Sequence, residues 1–364
     1  MHSWAPTSPS VPVGYVCQLL DLVDDLGGSG TGLWAELGLD ARVLDNPLGR
    51  VPLPHYTALH ARALATCNEP GLGYLLGLRA SPASHGTLAF GMMSQPTLAD
   101  ALMFGVQLGG PLRLAGWMLH HVAMGHGAQA CVQLRLSETL NPPRPAALRQ
   151  HAARLMLTGM ATLLGHVLPG CQPDLTLHFE GPEPDWQHRH AARLPRCRFQ
   201  QPFAALSLPA RRLTAALPQA NAAAARWAEQ ACIDELVRLG ETPAMRVRRQ
   251  TEALLAASDQ GYLSAAQVAA RLGLSVRTLA RTLRGTGSSF QWLLRQARQR
   301  DALALLQTPD LPLATVARHL GYRSISAFGD AFQGWAGQPP AAFRTSPPGP
   351  AGGPCRALAR AHHA

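Results

Sequence analysis

Apolar residues recur every three or four positions through most of the chain, and this spacing predicts helices. One is expected over Tyr15–Leu26, closed by the breaker run "GGSGTG". Short helices are expected over Leu33–Gly38 and Pro54–Thr66, and residues 71–78 and 97–110 have helical spacing too. The period changes across 116–138, where apolar and polar residues alternate around "MGHGA", the pattern of a β-hairpin. A long amphipathic helix is expected over 145–168, strands over 174–180 and 203–209, and a short helix over 184–194. A helix with few breaks covers 220–239, and from Arg246 to Arg344 only helices and short turns are predicted. The expected fold class is therefore mainly α. It has an α+β N-terminal domain over 15–240 and an all-α C-terminal domain over 246–344. Residues 1–14 and 346–364, rich in proline with serine or glycine, are expected to be disordered.

Composition narrows the class. A chain of 364 residues, 47% hydrophobic and 15% charged, can build a core in each of two or three domains. There is no uncharged apolar run of about eighteen residues, so no membrane span is expected. The N-terminus lacks a basic region followed by an apolar core, so no secretory signal is expected either. Seven cysteines, with no CxxC, argue against a disulfide framework or a zinc module and for a reducing cytosol. All 32 basic residues are arginine, which together with heavy Ala, Leu, Gly and Pro usage points to GC-rich bacterial coding. The charge is unevenly placed. Residues 1–240 hold 17 arginines against 16 acids, whereas residues 241–346 hold 13 against 6. A near-neutral front and a basic back suggest that the back meets a polyanion.

The basic region contains a pattern that explains its arginines. Taking 276–284 as a helix at 100° per residue, Arg277, Arg281 and Arg284 fall within about 60° of one another, and Val276, Leu279 and Leu283 fall largely opposite. The preceding helix, "SAAQVAARLG", ends at Gly273, suited to a left-handed turn, and Ser275 is placed to cap the next helix. Two short helices, a glycine turn and a basic outer face form a helix-turn-helix pattern, in which a helix enters the major groove. An ordinary helical hairpin with a solvated arginine face would look similar. A second copy favours the helix-turn-helix reading: "VAARLG" (268–273) returns as "VARHLG" (316–321), with Ser324 as its cap and Ile325, Phe328, Phe332 and Trp335 on one face. The helical run 289–307 between the copies spans about 27 Å, close to the roughly 34 Å between successive turns of one DNA face.

On these motifs, and on the closing pattern Gly321-Tyr322, Phe328, Phe332, Trp335, Gly337, Pro339 and Phe343-Arg344, residues 246–344 resemble the DNA-binding domain of the AraC/XylS transcription factors. The resemblance implies seven helices, helix-turn-helix motifs at about 265–285 and 313–336, and recognition helices at about 276–285 and 324–335. It implies that Arg277, Thr278 and Arg281 contact bases or phosphates, that Arg284 contacts phosphate, and that Arg323, Ser324 and Ser326 make weaker contacts. The chain departs from the family where basic residues are usual along the second recognition helix: here stand Asp330, Gln333 and Gly334. The first motif is therefore expected to carry most base readout.

Residues 49–104, and more weakly 177–213, resemble the effector domain of the ornithine-utilisation branch of the same family. That implies an inducer-sensing or dimerising role, with effector-binding residues unassigned. Enzyme-like features do not assemble. "GLGYLLG" (71–77) has no preceding strand and reads as a close-packed helix. His120, His121 and His126 are split between strand faces, so no metal site is expected. No nucleophile–base pattern occurs, so no catalytic residue and no cofactor are assigned. Trp117, His121, His85 and Tyr74 could line a pocket but read first as core or surface. The expected protein is a cytoplasmic, nucleoid-associated transcription activator, not an enzyme. Its expected partners are double-stranded DNA, RNA polymerase, a small-molecule effector and a second copy of itself. The alternatives are a DNA-tethered enzyme and a ligand-independent regulator whose front domain only makes protein contacts.

Overall fold

A computed structural model describes residues 9–114, 116–124, 130–140, 142–255, 261–306 and 311–345. The chain divides between Glu241 and Thr242 into two compact units.

The first unit opens with strand β1 (Ser10–Pro12), helix α1 (Val13–Asp25) and helix α2 (Gly30–Glu36). Strand β2 (Arg50–Pro52) returns antiparallel to β1 and runs into α3 (Leu53–Thr66). Composition assigns residues 10–14 to a disordered end, and here the structure differs. Val11 pairs with Val51 across the ribbon and both are buried, a long-range contact that local composition does not carry. Then come α4 (Leu72–Leu78), α5 (Pro82–His85), α6 (Thr87–Met93) and α7 (Leu98–Phe104). A wide π-type turn over Gly105–Gly109 leads into α8 (Gly110–Arg113).

Strands β3 (Trp117–Met124) and β4 (Cys131–Glu138) form the antiparallel hairpin, with Trp117 opposite Glu138. Helix α9 (Ala146–Val167) follows. Strands β5 (Thr176–His178), β6 (Arg196–Arg198) and β7 (Ala204–Pro209) complete a five-stranded sheet of order β3-β4-β7-β5-β6, antiparallel except for β5 beside β6. The stretch 184–194 is not the short α-helix its pattern predicts. It makes two tight turns, Gln187–Arg189 and Ala191–Arg193, while Trp186 and His190 pack against Tyr74. That tertiary contact overrides helical spacing. Helix α10 (Ala222–Arg238), capped by the Asn221 side chain, ends the unit.

Helix α4 shows how the unit is knit together. Its sequence LGYLLGL has no polar face, because it is enclosed on three sides. Leu72 and Leu76 enter the core formed with β1, β2 and α1–α3. Tyr74 enters the core formed with the sheet, α6–α9 and α10. Gly73 and Gly77, four apart, face α9. A Cβ on Gly73 would lie 2.7 Å from the His151 carbonyl oxygen, and one on Gly77 would lie 2.7 Å from Thr158 Cβ. The glycines of "GLGYLLG" thus let two helices approach closely.

The second unit contains, among the described residues, seven helices: α11 (Pro243–Leu254), α12 (Ala265–Arg271), α13 (Val276–Arg284), α14 (Phe290–Leu306), α15 (Leu313–His319), α16 (Ile325–Ala336) and α17 (Pro340–Thr345). The helix pairs α12–α13 and α15–α16 turn at Gly273 (φ 65°) and Gly321 (φ 72°), the left-handed region that favours glycine. Val268, Leu279, Leu283 and Leu293 share one core. In the second half, Val316, Leu320, Phe328, Phe332 and Phe343 are buried.

Helix α14 joins the halves. Asp301 on it is 1% exposed, accepts from the Tyr262 hydroxyl at 2.7 Å and pairs with Arg300 Nε at 2.6 Å. One turn earlier, the Arg298 guanidinium lies over Tyr262 at 5.8 Å and over Tyr322 at 5.1 Å, one ring from each half. Replacing Asp301 by alanine removes the acceptor of the half-buried Tyr262 hydroxyl and the carboxylate of Arg300, which keeps its donation to the Leu255 carbonyl. The expected loss of stability is about 1–3 kcal/mol, read by urea unfolding of the full chain, and no measurable loss would contradict this role.

Candidate DNA-reading face and domain cavity

Helix α13 is positioned by its cap and its aliphatic stripe. Ser275 accepts from the Thr278 backbone N–H at 3.1 Å, and Leu279 and Leu283 are buried. With that side held, Arg277, Arg281 and Arg284 are exposed. Among the described residues, no carboxylate is ion-paired to any of the three, so their charge is open to an outside polyanion. Arg284 Nε donates to the Ala280 carbonyl at 3.3 Å. Thr278 is half-buried, its hydroxyl 2.9 Å from Ser275 Oγ, which ties it to the cap as well as the outer face.

Helix α16 repeats the geometry with less charge. Ser324 accepts from the Ala327 N–H at 3.1 Å, and Phe328 and Phe332 hold the inner side. Arg323, Ser324, Ser326 and Asp330 are exposed. Val276 and Ile325, which periodicity places on the core faces, are 48% and 50% exposed. Each opens its helix and so projects ahead of the first buried turn.

The first unit encloses a second feature, a cavity at the seam of its two cores. It holds about 970 Å³ of atom-free space, a figure that includes open solvent at its mouth. Helix α9 supplies one wall through Leu148, Leu155, Met156, Met160 and Leu163, while its other stripe, Ala153, Leu157, Ala161 and Leu164, packs into the sheet core. Tyr15 from α1 and Tyr56 and His60 from α3 face that wall, with Arg113, Trp117 and Arg144 also in the lining.

The polar groups of the lining are uncharged or already paired. His60 Nδ1 and His151 Nε2 are 2.8 Å apart. Burial lowers both rings, His151 to about 4, with the charge of Arg154 adding to it, and His60 well below its usual range, so the pair is neutral at pH 7. Tyr15 Oη and His85 Nδ1 are 2.6 Å apart. Burial raises the tyrosine and lowers the histidine to about 4, so these too are neutral. Arg113 spends its donors on Glu235 (2.7 and 3.1 Å) and on the carbonyls of His85 and Leu112. Arg50 shares that glutamate at 3.1 Å, and Arg144 pairs with Glu138 at 2.7 Å.

Of the four sequence candidates for a pocket, His85 and Trp117 line this cavity. Tyr74 is fully buried in the sheet-side core, and His121 sits on β3 opposite Leu134. His126 lies outside the described residues. Tyr15, Tyr56, His60, Arg113, Arg144 and His151 were not singled out by sequence. The second apolar stripe of α9, wider than one core needs, was the available signal.

Two family matches accord with these two features. The family described as the arabinose-binding domain of AraC transcription regulators, N-terminal, matches residues 27–217, and a helix-turn-helix domain family matches residues 268–346. The ornithine utilization regulator of Pseudomonas aeruginosa is 33% identical over 347 residues, covering 94% of this chain and 98% of that protein. The transcriptional activator NphR of Rhodococcus sp. is 32% identical over 99 residues, 27% of this chain and 29% of that one. Among solved structures, the transcriptional regulator CdpR from Pseudomonas aeruginosa matches at a TM-score of 0.42 and 22% identity, over 87% of this chain and 96% of that chain. The chain belongs to the AraC family of transcription regulators. It is a DNA-binding regulator with an effector-binding type of N-terminal domain, and not an enzyme. No helix among the described residues is long and apolar enough to cross a membrane.

The histidine pair has a consequence for stability. In an unfolded chain each ring takes up a proton near pH 6.5, whereas in the folded chain His151 does so only near pH 4. Through that window the unfolded state binds more protons, so stability falls as pH drops from about 6.5 towards 4, by on the order of 3 kcal/mol in all for this ring. The thermal midpoint is expected to fall between pH 7 and pH 5, and to fall less in His151→Gln. An equal fall in both chains would contradict the assignment.

Proposed function

We propose that the protein is an inducer-responsive activator that reads two adjacent major-groove segments. The observation that carries this reading is the exposed stripe of Arg277, Arg281 and Arg284 on α13, without carboxylate partners among the described residues and held outward by a capped, buried-leucine helix. Arg277, Thr278 and Arg281 contact base edges or phosphates, and Arg284 contacts phosphate. Arg323, Ser324 and Ser326 open the second recognition helix and bind more weakly, since Asp330 stands exposed on the same helix. A homodimer in the cytoplasm, associated with the nucleoid and recruiting RNA polymerase, is the working assembly. Effector binding in the first unit shifts a pre-existing population towards the DNA-competent arrangement.

Selection of bound sites from random duplex DNA supplies the operator for testing. At fixed salt, Arg277→Ala and Arg281→Ala are each expected to weaken operator binding by about 1–3 kcal/mol. Arg284→Ala is expected to weaken all sequences alike and to flatten the salt dependence by roughly one ion. Asp330→Ala is expected to change affinity little or to raise it. Equal losses from Arg277→Ala, Arg281→Ala and Asp330→Ala would refute the ranking of the two motifs.

A further inference from the structure

The cavity of the first unit can be asked which ligand chemistry it suits, an inference that rests on the effector-responsive reading above. Its walls supply three constraints.

The first is unmet donors. Trp117 is 6% exposed, and its Nε1, which can only donate, has no partner. The buried histidine pair holds another free N–H. If His151 donates to His60, it is on His60 Nε2; if His60 donates, it is on His151 Nδ1, which lies towards Gly73 of α4, 3.2 Å from where a Cβ there would stand. Both outer nitrogens are buried and unpartnered, and both residues are more than nine-tenths buried. Buried donors left without acceptors are costly, so the lining calls for a ligand that brings acceptor oxygens.

The second constraint is the sign of the surrounding charge. Arg50 and Arg113 share one carboxylate, Glu235, which leaves a net positive charge beside Tyr15 and His85. Arg154, which adds to the lowering of His151, lies over Tyr74 and Trp186 and has no carboxylate partner among the described residues. Among the described residues, no aspartate or glutamate lines the cavity. An ammonium group would meet cations and find no counter-charge there; an anion would be favoured.

The third is the apolar wall. Leu53, Leu148, Leu155, Met156, Met160 and Leu163 offer nothing to a ring of hydroxyls. A sugar would leave polar groups unpaired along this side, whereas a hydrocarbon body is stabilised by burial against it.

We propose that this cavity binds a small organic acid, a carboxylate on an apolar chain or ring, and rejects both sugars and diamino acids. The carboxylate accepts from Trp117 Nε1 and from His60 Nε2, the tautomer in which His151 donates to His60, and the apolar body lies along α9. Specificity comes from the unpaired donors and the carboxylate-free lining.

The test uses the full chain and four probes: octanoate, octanamide, octylamine and L-ornithine, titrated by calorimetry and by thermal melting, with L-arabinose as a fifth. Octanoate is expected to bind saturably, at least about tenfold more tightly than octanamide or octylamine, and ornithine and arabinose are expected not to bind. Trp117→Phe, which keeps an aromatic side chain and removes the donor, is expected to weaken octanoate about tenfold. Met160→Trp, which fills the apolar end, is expected to abolish binding. Both variants are to retain a cooperative melt and unliganded affinity for the selected operator. If octanoate fails to bind, if octylamine or ornithine binds as well, or if neither variant weakens octanoate, the proposal is overturned. Octanoate binding with no change in operator affinity supports the site while removing the effector-responsive reading. Loss of selective DNA binding by the unvaried chain would remove the regulator mechanism alone.

Discussion

A guanidinium taken out of water must be given a carboxylate, carbonyls or an aromatic face, and one left in water need not be. In a chain whose every fixed side-chain cation is arginine, this constraint separates the arginines that build the fold from those proposed to meet DNA. Arg113 and Arg50 converge on Glu235 and tie β2, α8 and α10 together. Arg144 is held by Glu138, and Arg300 by Asp301. Arg298 rests between two tyrosine rings. The arginines of α13 stand outside this system, exposed and without a carboxylate partner among the described residues, and that is what suits them to a polyanion.

The same constraint shapes the cavity. Because its arginines are turned to glutamates or to backbone carbonyls, the lining shows uncharged donors on an apolar ground, within a field that remains positive. Desolvation then keeps the histidines neutral, so at neutral pH one ring of the pair donates and the other accepts. The close approach of α4 and α9 through Gly73 and Gly77 supports this arrangement from behind: His151, which carries half of the histidine pair, sits on the turn of α9 that meets Gly73.

In the second unit α14 lies between the two helix pairs, α12–α13 and α15–α16. A helix is a rod of fixed rise, so its length can be read from sequence. Its attachment cannot. The Asp301–Tyr262 hydrogen bond and the stacking of Arg298 on Tyr262 and Tyr322 join residues up to 60 positions apart, and they decide how each half sits on the rod.

By itself the sequence determined whatever depends on neighbours within a turn or two. That includes the helical stripes of α9 and α13, the caps at Ser275 and Ser324, the left-handed glycines 273 and 321, the β3–β4 hairpin and the repeated helix pair. Each follows from a fixed backbone period or a hydrogen bond between near neighbours. Tertiary structure alone decided the β1–β2 ribbon, the tight turns at 187–193, the exposure of Val276 and Ile325, and above all the cavity. Its walls come from segments as far apart as Val11 and Leu163, and a periodicity shows that a face is apolar without showing whether protein or empty space lies against it.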